Sequence, residues 1–123
     1  MKTSSAKAKG RRLQTYVAKA ISRITGIKWG KDEWIEPREM GISGPDIKLY
    51  ALADEMFPFS IECKNCERWA VPKWIDQAKA NQQEGTDWLL VISRNRHQPV
   101  VVMDFEAFMD FFGQYIQMVW KTK

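Results

Sequence analysis

Two short stretches carry residue types that could build a site: Ser43-Gly44-Pro45-Asp46-Ile47-Lys48 and Ser60-Ile61-Glu62-Cys63-Lys64. Each alternates as a strand does. In the first, Ile47, Leu49 and Ala51 point one way, and Asp46, Lys48 and Tyr50 the other. In the second, Phe59, Ile61 and Cys63 oppose Ser60, Glu62 and Lys64. Turn chemistry near the ends of Asp54–Pro58 suggests a hairpin centred near residue 55. That register sets Asp46 opposite Lys64 and Lys48 opposite Glu62. Two carboxylates and an ammonium then share one polar face, within about 5–8 Å of one another. Such a group can hold a hard divalent cation such as Mg²⁺. The lysine can position water or stabilise charge on a phosphate. The plainer alternative is a solvated face whose charges pair weakly across the strands. Gly44 allows a ligand to approach the backbone closely.

Pro45-Asp46 followed by Glu62-Cys63-Lys64 resembles the signature of the PD-(D/E)xK nuclease superfamily. The whole is similar to its small Holliday-junction-resolvase-like and phage-type members. Beyond the signature, Lys9-Gly10-Arg11-Arg12 opens the first helix, Arg38 and Ser43-Gly44 lead into the aspartate, and a helix follows the lysine. The resemblance implies a Mg²⁺- or Mn²⁺-dependent endonuclease acting on DNA phosphodiesters. Asp46 and Glu62 would bind the metal, with the Cys63 backbone carbonyl adding an oxygen, and Lys64 would position or activate water. Gln77 resembles the glutamine that many members carry after the lysine; alone it is an ordinary helix residue. Many relatives of the resolvase type carry a metal-holding glutamate in the first helix. Here that helix has no acid, and Gln14 is the nearest positional match. Glu36 or Glu39 could supply the missing carboxylate, or be exposed charges.

The elements that must position these residues follow from periodicity. Residues 1–9 lack it and read as a flexible basic arm; residues 10–123 read as a single nuclease-like domain. A helix runs from about Gly10 to Ile24 on a stripe of Leu13, Tyr16, Val17, Ala20, Ile21 and Ile24. A short edge strand follows at Glu33–Arg38. After Lys64, Pro72 suits the first turn of a helix reaching about Gln83. Trp88–Ile92 is an apolar run, expected to be a strand buried on both faces. The polar turn Arg94–Pro99 leads to a last strand, Val100–Met103. Asp104 caps a closing helix, Phe105 to about Lys121, apolar nearly all round. It is expected to be covered by its own sheet and by a second subunit, making a homodimer. The fold class is therefore α/β, in the order α-β-β-β-α-β-β-α: by resemblance, a restriction-endonuclease-like core with a mixed central sheet flanked by helices.

A chain of 123 residues, 45% hydrophobic and 28% charged, suits one globular domain. No apolar run is long enough to span a membrane and no signal-peptide core opens the chain, so the expectation is a cytoplasmic protein without a membrane partner. Cys63-x-x-Cys66 lacks the further ligands of a zinc site, since His97 is the only histidine. Cys63 is expected in the core. The net charge of +4 is uneven: residues 1–31 hold nine Lys or Arg and no acid, while the remainder holds ten basic against fifteen acidic residues. A basic front on an acidic body points to nucleic acid, or to a solubilising tail. Lys2, Lys7, Lys9, Arg11 and Arg12 would meet the DNA backbone, with Ser43 beside the site. Arg94 and Arg96 would touch phosphate or form a solvated loop tip. No base-reading module is evident, so selectivity for branched DNA or low sequence specificity is expected. The alternatives are a DNA-binding module that has lost catalysis, or a protein-interaction subunit.

Overall fold

The computed structural model describes residues 3–121. The first helix, α1 (Thr3–Thr25), is followed by β1 (Ile35–Pro37), β2 (Ile47–Leu49), a short α2 (Leu52–Met56), β3 (Phe59–Asn65), α3 (Val71–Ala80), β4 (Asp87–Ser93), β5 (Val100–Met103) and α4 (Phe105–Ile116). A π-helical turn, Gln117–Lys121, continues α4. The order is the expected one with α2 and the π turn added. Strand β4 is central, parallel to β3 and antiparallel to β5, so this sheet is mixed. Strands β1 and β2 form a separate antiparallel pair.

The two faces of β3 and β4 explain the layers. Leu13, Val17, Ala18 and Ile21 repeat on one side of α1 and pack on Ile61, Cys63, Leu89 and Val91. Ile35 and Ile47 close the same core. On the opposite face, Trp74 and Ala78 of α3 cover Trp88, Leu90 and Ile92. The Trp88–Ile92 run is thus buried on both faces, and Cys63 is a core residue. Parallel strands need a long crossover, and α3 supplies it. Among the described residues, no helix is long and apolar enough to cross a membrane.

Three expectations are corrected. Residues 3–9 are helical and continuous with the rest of α1 rather than an arm, while residues 1 and 2 of that expected arm lie outside the described residues. Lys, Ala and Ser tolerate helix well enough to extend a helix already anchored downstream. The hairpin register also fails. Ala51 takes a left-handed φ of 53° and turns the chain into α2, and β2 spends its ladder on β1. Lys48 therefore lies opposite Glu36, with Nζ 3.0 Å from its carboxylate, and does not face Glu62. Finally, α4 is not covered by its own sheet. Asp104 does cap it, its carboxylate accepting from the Ala107 N–H at 3.1 Å, but Ala107 is the one buried residue of α4.

Leu90 is fully buried between α3 and the sheet. Leu90→Ala should lower the unfolding free energy by about 2–5 kcal/mol, the cost of an aliphatic deletion at a packed site. Urea unfolding followed by circular dichroism measures it. A loss below about 1 kcal/mol would mean that the α3 layer packs loosely.

Candidate active site

Asp46 stands just before β2 and is fixed from both sides. Its N–H donates to the Ile61 carbonyl at 2.7 Å, and its own carbonyl accepts from the Arg38 N–H at 2.7 Å. Its Oδ2 accepts from the Cys63 N–H, also at 2.7 Å. These bonds hold the aspartate against β3 where the expected ladder does not form. The N–H and C=O of one strand residue leave by the same edge. The Cys63 carbonyl therefore opens on the side where Asp46 lies.

Glu62 and Lys64 alternate with Cys63 and lie on the α3 side of β3. Glu62 is buried; its Oε2 accepts from Asn81 Nδ2 at 3.2 Å, and its Oε1 is 3.7 Å from Lys64 Nζ. Gln77 is one helical turn before Asn81 and shares its face of α3. The Gln77 side-chain oxygen is buried and has no hydrogen-bond partner. Burial pushes the Asp46 carboxyl up to about 6, and the nearby Glu62 charge adds to this. The Cys63 N–H and the Lys64 and Arg38 charges only partly offset that rise. Burial also pushes the Cys63 thiol well up, so Cys63 offers a neutral side chain and a backbone oxygen, not a thiolate.

The structure thus brings Asp46, Glu62, Lys64 and the Cys63 backbone together, with Gln77 on the adjoining helix. Among the described residues no group of three His, Cys, Asp or Glu side chains could hold a metal. The oxygens on offer are two carboxylates and a carbonyl. Gln14 is buried in α1, whereas Glu36 is engaged by the Asp32 N–H and Lys48, which hold its carboxyl below the usual range. Glu39 is exposed.

The basic residues divide. Lys7, Arg11 and Arg12 are exposed on α1, as are Ser43 before the site and Arg94 and Arg96 in the β4–β5 turn. Arg12 and Arg96 line one open cleft of about 430 Å³ together with Asn65, the residue after Lys64. Arg94 lies over the Trp69 ring at 6.0 Å. Lys9 is not at the surface: it is 3% exposed, its Nζ lies 3.5 Å from Glu67 and its carbonyl accepts from Asn65. Lys2 lies outside the described residues.

Sequence reasoning missed two partners. Asn81 steadies Glu62, and its four-residue spacing from Gln77 was the available signal. Arg38 donates from Nε to the Pro45 carbonyl, and its guanidinium fills the space where a Cβ on Gly44 would lie, 2.9 Å from its Cζ. Gly44 itself has φ 114°, so glycine is required there twice over.

Residues 5–122 match the family model described as “Phage putative PDDEXK endonuclease”. No curated protein and no solved structure matches the chain.

The half-buried Asp46 charge has a cost. The folded carboxyl keeps its proton to about pH 6, whereas an unfolded aspartate releases it near 3.8. The stability contributed by this group is intact below pH 4 and is lost as pH rises to 6. At pH 7.5 the penalty is about 3 kcal/mol. Asp46→Asn keeps an acceptor for the Cys63 N–H and removes the charge. It should stabilise the fold by about 1–3 kcal/mol at pH 7.5 and by much less at pH 4.5. Urea unfolding at the two pH values checks this, and an equal effect at both would refute the charge as the cause.

Proposed function

The chain belongs to the phage PDDEXK endonuclease family, a family of nucleases, and from that premise we propose that it hydrolyses DNA phosphodiester bonds with the help of Mg²⁺ or Mn²⁺. The observation that carries this reading is the convergence of Asp46, Glu62 and Lys64 where β2 abuts β3. The donor set suits a hard cation, since every available ligand is an oxygen. Asp46, through the oxygen not held by Cys63, would bind it together with Glu62 and the Cys63 carbonyl. When bound, such a cation supplies positive charge to the scissile phosphate and acidifies water.

The remaining work falls to the chain. Lys64 Nζ, steadied by Glu62, holds a water beside the phosphate and donates to the oxygen on which charge accumulates. Water adds to phosphorus and loses a proton to solvent, the bond to one ester oxygen breaks, and that oxygen leaves as a hydroxyl by taking a proton from solvent. Asn81 keeps Glu62 from turning away, and the unpartnered Gln77 oxygen can accept a hydrogen bond from water. Arg11, Arg12 and Arg96, with Lys7, follow the DNA backbone without reading bases. Branched DNA, or duplex DNA with little sequence preference, is the substrate most in keeping with that surface, and the setting is the cytoplasm. Two copies joined through α4 would bring two sites to one substrate.

The experiment is nicking of supercoiled plasmid with Mg²⁺, Mn²⁺ or EDTA, beside cleavage of a four-way junction and a linear duplex of the same sequence. Wild type should nick with either metal and not with EDTA, and should cut the junction faster. Asp46→Asn and Lys64→Ala should each lose at least about a hundredfold in rate, with DNA affinity in Ca²⁺ nearly unchanged. Near wild-type cutting by either variant would overturn the assignment. Binding without cleavage by wild type would instead favour a DNA-binding module.

A further inference from the structure

Among the described residues, two apolar surfaces lack cover and match each other. One is the side of α4 formed by Phe105, Phe108, Met109, Phe112 and Ile116, whose spacing sets them in one stripe along the helix. All are exposed, Phe105 to 69%. The other is a groove of about 300 Å³ between α1 and the β4–β5 edge, lined by Tyr16, Val17, Ile24, Leu89, Val91 and Val101. Ile24 is 69% and Val101 58% exposed. We infer that α4 of each copy of this chain lies in the α1–β5 groove of a second copy, making an exchanged dimer. This rests on the reading of α4 as the dimer element and adds what it docks into.

Charge and connectivity select this occupant. Helix α4 carries Glu106 and Asp110 and no Lys or Arg, whereas α1 carries no acid. Glu106 and Asp110 are four residues apart and form one edge of α4. Arg23 lines the groove, and Lys19 is one turn earlier on the same helix. Set against α1, the acids of α4 meet base, a complementarity that a second α4, without Lys or Arg, does not offer. The helix cannot reach the groove of its own chain. One residue, the capping Asp104, separates β5 from α4. Connections that fold a helix back onto its strand take about 2–6 residues. The substantial contacts of α4 are accordingly with the π turn that continues it.

The size is adequate. The five stripe residues expose about 500 Å² of side chain, taking about 100 Å² for each half-exposed large residue. Doubled by the two-fold and with the groove's own surface added, the contact exceeds about 1,000 Å², the size at which a specific interface is expected.

The test uses full-length chains without DNA or metal, so its outcome is separate from that of the nuclease reading. Val101→Glu spoils the groove and leaves α4 intact; Phe112→Glu spoils α4 and leaves the groove intact. Wild type should sediment as a dimer at micromolar concentration and each variant alone as a monomer with unchanged circular dichroism. An equimolar mixture should then regain a dimer, because one good helix meets one good groove. Tagging one variant should co-purify the other. A monomeric wild type overturns the proposal. So does a Val101→Glu chain that stays dimeric beside a monomeric Phe112→Glu chain and no mixed dimer, the pattern of helix-on-helix packing. If Val101→Glu unfolds, Ile24→Glu, on the opposite wall and already in water, replaces it with the same expected outcomes.

Discussion

The backbone of Asp46 is the seam of this structure. Its N–H reaches β3 and its carbonyl reaches the end of β1, so one residue ties the β1–β2 pair to the three-strand sheet. The side chain then adds a third bond, to the Cys63 N–H. A carboxylate used in this way sits where its charge is poorly solvated and faces another acid. The fold therefore tolerates at the site a charge that solvent would otherwise stabilise. Sites that hold cations commonly carry such a cost, because the cation removes it.

What surrounds the seam serves to keep it fixed. Arg38 cannot reach the Pro45 carbonyl unless residue 44 lacks a side chain, and Gly44 provides that space. Glu62 is held from α3 by Asn81, and the two hydrophobic cores lie on opposite faces of β4. The site sits at the boundary between the layers, so both α1 and α3 bear on it. The apolar α4 stands outside this arrangement. Nothing in the cores just described needs it, and its aromatic stripe is more than a monomer of this size ordinarily leaves in water.

The basic front of the chain shows how position alters a residue's role. Lys7, Arg11 and Arg12 face solvent, and Arg12 shares a cleft with Arg96 from a distant turn. Lys9, between them in sequence, turns inward to Glu67. Helical spacing decides this: residues two apart on a helix point about 200° apart, so a run of basic residues cannot all meet one partner.

Much of this was legible in the sequence because it depends on local pattern. The alternation around Glu62-Cys63-Lys64 fixed which side chains share a face, the Trp88–Ile92 run marked a strand buried on both sides, and Asp104 marked a helix start. These features follow from the two-residue and 3.6-residue periods, which a single stretch of chain carries. Pairing between strands does not. Alternation is compatible with any partner, so the expected pairing of Lys48 with Glu62 had no support beyond the assumed hairpin, and the left-handed turn at Ala51 set Lys48 beside Glu36 instead. The sequence by itself determined the residue types of the site, its two strands and the layer order. Only the tertiary structure decided that Asp46 reaches β3 through single hydrogen bonds, that Asn81 and Arg38 support the site, that Lys9 is buried, and that α4 leaves its own sheet bare. Each of these depends on contacts between segments distant in the chain, and packing geometry, not local propensity, selects among such contacts.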